Sequence, residues 1–476
     1  LGLFPGPEVT PEAAAALTGR PPSEAQQTLE RLSAAHLVTP RADRRFVLHD
    51  LLRLYATELA DHELAADERQ EAVRRLYLYY AHAVEAAAAR LYPYILRLTP
   101  PTESASVAVD LADDGEAVRW LDTEWDNLVA VVDSADDRDA KQAGCLVGSA
   151  LRGYLLTRMR VVDWLTIARA NLAAAREIGD QRAEAAAQLS LGDLHRSKGE
   201  YRTATGHYER VLALSRHNGW IEGQAAAHNN LSNLCYPQGK LRATADHLTH
   251  ALELNHRAGR IAAHAANLTN LGGVQLQMGL LDDAVANLER AAAVHRSSGS
   301  HAGESHSLTT LGETFTALGK YDRARETLLR ALSLQQEVDD RQHLPHALAY
   351  LSAVHLETGE HTRAGELAAR AVEKAREVGN GRDAEATAIR VMASIDRAAT
   401  RHERAIERYR EALEIARKSD GMEYTSVVIM LDLADAYVDL GESGTARHYL
   451  DQALHTCRRS GYLGLLERAT ATRSMC

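Results

Sequence analysis

The chain has 476 residues, a formal net charge of −11 and a quarter of its residues charged. That balance gives no reason to expect nucleic acid or an acidic membrane as a partner, because both demand a basic surface. Cys145, Cys235, Cys457 and Cys476 are scattered without a C-x-x-C pair, which argues against a disulfide frame or zinc site, and no run of about 18 apolar residues offers a membrane span. The expectation is a soluble, cytoplasmic protein with buried thiols. Its sequence begins at Leu1, within what reads as a folded domain, so the chain is expected to be part of a longer one.

Residues 1–66 come first. Pro11 opens a helix through Leu17, proline being tolerated in a first turn. Ser23-x-x-Gln26 reads as a capping box for a second helix ending at His36. Leu37-Val38-Thr39 and Arg45-Phe46-Val47-Leu48 flank a polar turn and read as one β-hairpin, after which Asp50 is expected to cap a third helix from Leu51 to Ala65. Helix, helix, hairpin, helix is the order of a small winged-helix domain. Six arginines against nine carboxylates leave this segment at −3, the wrong sign for direct DNA contact.

Residues 67–138 read as a helical coupling region. Val73, Leu76, Tyr77, Tyr80 and Val84 form one apolar stripe, ended by Pro93, Pro100 and Pro101, and Trp120, Leu121, Trp125, Leu128 and Val132 form another. Aromatic stripes at this spacing belong to cores.

From about residue 139 to the end, one unit repeats every 40 residues. Leu191-Gly192, Leu231-Ser232, Leu271-Gly272, Leu311-Gly312 and Leu351-Ser352 keep the step, as do turn glycines at 199, 239, 279, 319 and 359. A second glycine closes each unit at 179, 219, 259, 299 and 379, with Asp339 the one substitute. Each unit reads as two antiparallel helices that cannot bury their apolar stripes alone, so neighbours must stack. The run Leu-Gly, aromatic, Gly-x-Tyr, Ala, large apolar, Ala resembles a tetratricopeptide (TPR) repeat lengthened from 34 residues to 40. The pattern weakens after Val391, where Ala399-Thr400 replaces the turn glycine and one residue is inserted, and recovers at Leu433. The expected fold is all-α: a right-handed TPR-type solenoid of about eight hairpins with a C-terminal cap helix, preceded by the winged helix with its one hairpin.

The segments LGLFPGPEVTPEAAAAL, FVLHDLLRLYATELA, GEAVRWLDTEWDNLVAVV and VVDWLTIARANLAAAREIGD carry a second resemblance. They resemble actinobacterial STAND-class signal-transduction ATPases of the antibiotic-regulator type, in which a DNA-binding domain, an NB-ARC nucleotide-binding core, a winged helix and a TPR array follow one another. An actinobacterial source also suits the basic residues, of which 54 include only 6 lysines. The resemblance implies that His49-Asp50 stands in the place of a Met-His-Asp motif, with Leu48 for the methionine, and that His49 reaches the β-phosphate of ADP held by an upstream domain. ADP or ATP with Mg would then belong to the longer protein. Physically, an imidazole beside a helix N-terminus can donate to a phosphate, although a histidine packed under the wing explains the same residue.

No P-loop, G-x-G-x-x-G, H-E-x-x-H or G-x-S-x-G occurs, so no cofactor or catalytic residue is assigned to this chain. The i, i+3 pairs His247/His250 and His343/His346 lack a third ligand at a recognisable spacing. What remains is surface. The first helices of three successive hairpins carry Asn229, Asn230 and Asn233, then Thr269 and Asn270, then Thr309 and Glu313, with Tyr236 and Leu276 one turn further on. Asparagine is a poor helix former, so this series reads either as a groove for a peptide backbone or as polar filler on a wet inner wall. The expected function is the partner-sensing, autoregulatory C-terminal portion of a multidomain NTPase regulator of transcription, acting by protein or peptide binding on the concave face. The alternative is a free-standing TPR adaptor or peptide receptor.

Overall fold

The computed structural model describes residues 1–101, 107–338, 340–378, 381–419 and 421–475; Asp339, Gly379 and Cys476 lie outside the described residues. The chain divides into two compact units, Leu1–Ala227 and His228–Cys476.

In the first unit, α1 (Pro11–Thr18) starts at Thr10, whose hydroxyl accepts from the Ala13 amide at 3.2 Å. α2 (Pro22–Ala34) has no side-chain cap: Pro21 and Pro22 fix the helical start, so Ser23 falls inside the first turn instead of capping it. The helix stops short of His36, which is left-handed at φ 57°. The wing has three short strands, β1 (Glu8–Val9), β2 (Thr39–Pro40) and β3 (Phe46–Val47), in the antiparallel order β1-β3-β2. A two-residue strand has no alternation to read, which is why β1 was not anticipated. In α3 (Asp50–Glu63) the cap position belongs to His49, and Asp50 is the first helical residue.

α4 (Ala66–Leu91) and α5 (Asp114–Asp133) carry the two aromatic stripes into one core, where Tyr80, Leu76, Leu121 and Leu128 are buried. A buried polar knot ties the wing to this pair. Arg45, beside β3, forms ion pairs with Glu8 at 3.1 Å and with Glu124, and Glu124 also accepts from Tyr80 Oη at 3.0 Å and Asn127 Nδ2 at 2.8 Å. Helical hairpins follow, α6 (Arg138–Arg158) with α7 (Val161–Ile178) and α8 (Gln181–Ser197) with α9 (Tyr201–His217). Trp164 is fully buried and its indole donates to Ser190 Oγ at 2.8 Å.

α10 (Ile221–Cys235) runs across the division and ends in a single 3₁₀ turn, Tyr236–Gln238, forced by Pro237. It pairs with α11 (Leu241–Arg257), and the second unit continues as α12 (Ile261–Gln277) with α13 (Leu281–Ser297) and α14 (His301–Ala317) with α15 (Tyr321–Glu337). α16 (Leu344–Glu357) with α17 (His361–Glu377), α18 (Arg382–Ala398) with α19 (His402–Arg417), α20 (Glu423–Asp439) with α21 (Ser443–Ser460) and the closing helix α22 (Leu463–Met475) complete it. The close crossing expected at Gly312 is real: a Cβ there would lie 2.4 Å from Leu328 Cγ. The turn at Gly319 is left-handed at φ 69°.

The hairpins of the second unit coil until the last meets the first. Leu241, Leu248, Leu271 and Val274 share one apolar cluster with Met422, Tyr437, Leu450 and Tyr462. The turn at Gly239 abuts Ser460 and Glu423, where a Cβ would come within 2.6 Å of Ser460 Oγ, and the turn at Gly279 abuts the backbone of Gly464. Among the described residues no helix is long and apolar enough to cross a membrane.

A polar groove inside the second unit

The first helices of the pairs, α10, α12, α14, α16, α18 and α20, together with Thr244 and Leu248 of α11, surround a cavity of about 400 Å³. Its lining runs from Asn233 and Tyr236, through Asn270, Leu276, Thr309 and Glu313, to Tyr350, Asp383, Tyr424 and Thr425. Gln277 Nε2 donates to Tyr236 Oη at 2.5 Å and so fixes the phenol at the end of α10. Thr425 Oγ1 donates to Asp383 Oδ1 at 2.8 Å, and His346 Nε2 lies 3.6 Å from Asp383 Oδ2. The rings of His306 and His343 pack with centroids 5.0 Å apart, and His343 Nδ1 bonds Asp340 at 2.8 Å.

The groove perturbs the groups that face it. Burial and the Asp383 charge push the Glu313 carboxyl up to about 7, against the Tyr350 hydroxyl that donates to it. Burial opposes ionisation of Asp383 too, yet His346 and Thr425 hold it below the usual carboxylate range. Burial, then His343 and His346, lower the His306 imidazole. Burial raises the phenols of Tyr236, Tyr350 and Tyr424, and Glu313 adds to the effect at all three. Tyr236 is 36% exposed and His306 is also exposed, but the water that reaches them is that of the groove, whose walls limit their solvation.

Seven of the nine residues singled out as partner-binding line this cavity: Asn233, Tyr236, Thr269, Asn270, Leu276, Thr309 and Glu313. Asn233 and Asn270 are exposed on it. Thr269 and Thr309 are buried, with Thr269 Oγ1 bonded to Ser307 Oγ at 2.8 Å and Thr309 Oγ1 donating to the Ser305 carbonyl at 2.9 Å. Asn229 and Asn230 are not on the lining. Asn229 Oδ1 accepts from Asn267 Nδ2 at 2.8 Å between neighbouring helices, and Asn230 is buried. The half of the groove beyond α14 went unread, although the 40-residue step reaches it: Tyr350 follows Asn270 and Thr310, His346 follows His306, and Asp383 follows His343. Elsewhere, His49 is exposed at the N-cap of α3 and makes no side-chain cap bond.

Comparison with known proteins agrees with this architecture. Tetratricopeptide-repeat family models match residues 262–337 and 345–418, and 187–219. The helical array is a TPR solenoid, preceded by the small three-stranded wing. The chain is similar to the regulatory protein AfsR of Streptomyces griseus, at 32% identity over 233 residues, 45% of this chain and 22% of that protein. It spans about a fifth of the length of the curated relatives it matches. In fold it is similar to a STAND protein with a tetratricopeptide-repeat sensor from Pyrococcus horikoshii, with TM-score 0.53, 14% identity, and 100% of this chain and 64% of that one covered. A Rap protein complexed with competence and sporulation factor gives TM-score 0.50 at 13% identity, covering 74% of this chain and 99% of that one.

Proposed function

We propose that the groove of the second unit is a receptor site for an extended peptide segment, and that the chain is a binding module and not an enzyme. The observation that carries this is the convergence of amide and hydroxyl groups from successive first helices on one cavity, with Asn233 and Asn270 exposed to it. A side-chain amide both donates and accepts, so a ladder of them matches the alternating groups of a peptide backbone, while Tyr236 and Leu276 shape pockets for side chains. Transfer from the Rap protein that is complexed with competence and sporulation factor supports ligand binding by this fold. The test is a peptide-library screen on the whole chain followed by Asn233→Ala with Asn270→Ala. Alanine is the better helix former, so stability should hold, while affinity should fall by about 1–3 kcal/mol as backbone groups of the ligand lose partners. A selected peptide whose affinity ignores the double variant rules the groove out.

A second reading, that this module senses for a larger regulatory NTPase, draws on three observations. One is the similarity to AfsR. Another is the exposed apolar side of α3, with Leu51 82%, Leu54 66% and Tyr55 62% exposed, which suits a helix covered by another domain. The third is the exposed His49 at the N-terminus of that helix, a position at which an imidazole can donate to an anion such as a phosphate of ADP. His49→Ala in the longer protein should then weaken ADP retention, read by nucleotide content after purification; unchanged retention removes the assignment.

A further inference from the structure

The lining of the groove also narrows the chemistry of its ligand. Among the described residues it holds two carboxylates, Glu313 and Asp383, and neither lysine nor arginine. Asp383 is answered by His346 at 3.6 Å and by Thr425 at 2.8 Å, and His343 is engaged by Asp340. The hydrogen-bond partner of Glu313 on the lining is neutral, the Tyr350 hydroxyl. The guanidinium that acts on Glu313 from a distance, Arg390, is bound to Asp432 at 3.0 Å. The lining's one imidazole that acts on Glu313, that of His346, lies 3.6 Å from Asp383, and Tyr236 and Tyr424 also stand within electrostatic reach of Glu313, so three phenol rings and one carboxylate with neither lysine nor arginine beside it share this part of the cavity.

We propose that this part of the groove holds one cationic group of the ligand, an ammonium or a guanidinium, with Glu313 as its counter-ion and the rings of Tyr236, Tyr350 and Tyr424 around it. The carboxylate supplies the charge-assisted hydrogen bond and the rings supply their negative faces, a combination that water competes with poorly inside a walled groove. A cavity of about 400 Å³ falls near the lower end of ligand sites, roughly 300–1,000 Å³, and suits one long side chain with its flanking backbone. The inference rests on the groove being the ligand site: Asn233 and Asn270, on the two preceding first helices, take the backbone, and Glu313 selects the side chain.

The test titrates the whole chain with fluorescently labelled pentapeptides that differ at one central position, arginine against citrulline and lysine against norleucine. Calorimetry with arginine amide and citrulline amide runs beside it. The cationic member of each pair should bind about tenfold tighter or more, and Glu313→Gln should reduce that preference below about threefold with an unchanged circular-dichroism spectrum. Tyr236→Leu, on the exposed wall, should weaken only the cationic members, by about three- to tenfold. Neutral or acidic members bound as tightly, or a preference that survives Glu313→Gln, overturn the proposal. Peptides bound in the groove without charge preference remove the cation site and leave the receptor reading standing. Arginine amide bound where no peptide binds does the reverse, and failure of both probes removes both.

Discussion

Asp193 and Glu313 hold the same place in their repeats, three steps of 40 residues apart, and the two units use them in opposite ways. In the first unit Asp193 is 1% exposed and takes Arg152 Nε at 2.5 Å and Tyr208 Oη at 2.7 Å. The same steps carry Arg152 to Gly272 and Tyr208 to Leu328, so the second unit has neither partner to offer. Glu313 is left half-buried on the groove with a phenol beside it. A position of the repeat is therefore neither structural nor functional in itself. Whether its carboxylate is neutralised in the packing or left facing the groove is decided one hairpin away, by whether a guanidinium stands there.

The comparison breaks most visibly at Arg152. Arg152→Leu leaves Asp193 buried without its cation and should destabilise the first unit by about 3–5 kcal/mol, read as a lower midpoint in urea. A loss under about 1 kcal/mol would mean that Tyr208 alone satisfies Asp193.

Glu313→Gln should act in the other direction and with pH. The folded-state pKa of Glu313, about 7, lies above the ordinary value of 4.5, so between these the native chain keeps a proton that the unfolded chain releases. Stability at this site therefore declines as pH rises from about 4.5 to 7 and stays reduced above it. The glutamine variant should match the parent near pH 4 and exceed it at pH 8 by about 1–2 kcal/mol, less than full linkage because the groove is wet. The groups facing Glu313, namely Tyr350, Asp383, His346 and Arg390, are unchanged in both proteins, so the difference curve reports Glu313; a flat curve contradicts the assignment.

The smallest effect is expected at the turn where the repeat falters. Thr400 sits at φ 59°, in the place of turns that Gly359 makes at φ 80°. A β-branched residue is strained in that region, and Thr400→Gly should raise thermal stability by about 0.5–1 kcal/mol. A fall would show that the Thr400 side chain contributes more than its backbone costs.

Much of the fold was legible because the chain states it repeatedly. The Leu-Gly pair and the turn glycines mark a helix crossing and a left-handed turn at each step, and both were found at Gly312 and Gly319. The wing was harder, since β1 has two residues and the start of α2 is set by Pro21-Pro22 and not by a serine cap. In the groove, composition distinguished exposed Asn233 and Asn270 from nothing else: Asn229 has the same side chain and spends it on Asn267, a partner 38 positions away that no local pattern announces. Tyr350 and Asp383 were reachable by the repeat step. Tyr424 was not, because the inserted residue before α19 shifts the register by one.

Where Gly239 meets Ser460 and Gly279 meets Gly464, the second unit joins its own beginning. An open array of this kind is a spring, whose pitch changes cheaply because the strain is shared among many neighbours. A coil whose ends touch is closer to a split ring, stiff until the seam parts and compliant afterwards. The seam has apolar and polar components, Tyr462 in its cluster and Glu423 with Arg459 and Ser460 beside it, so its strength answers to both temperature and salt. Gly464 of the C-terminal helix, far along the chain from Asn233 and Asn270, is thereby part of the same closure that carries them.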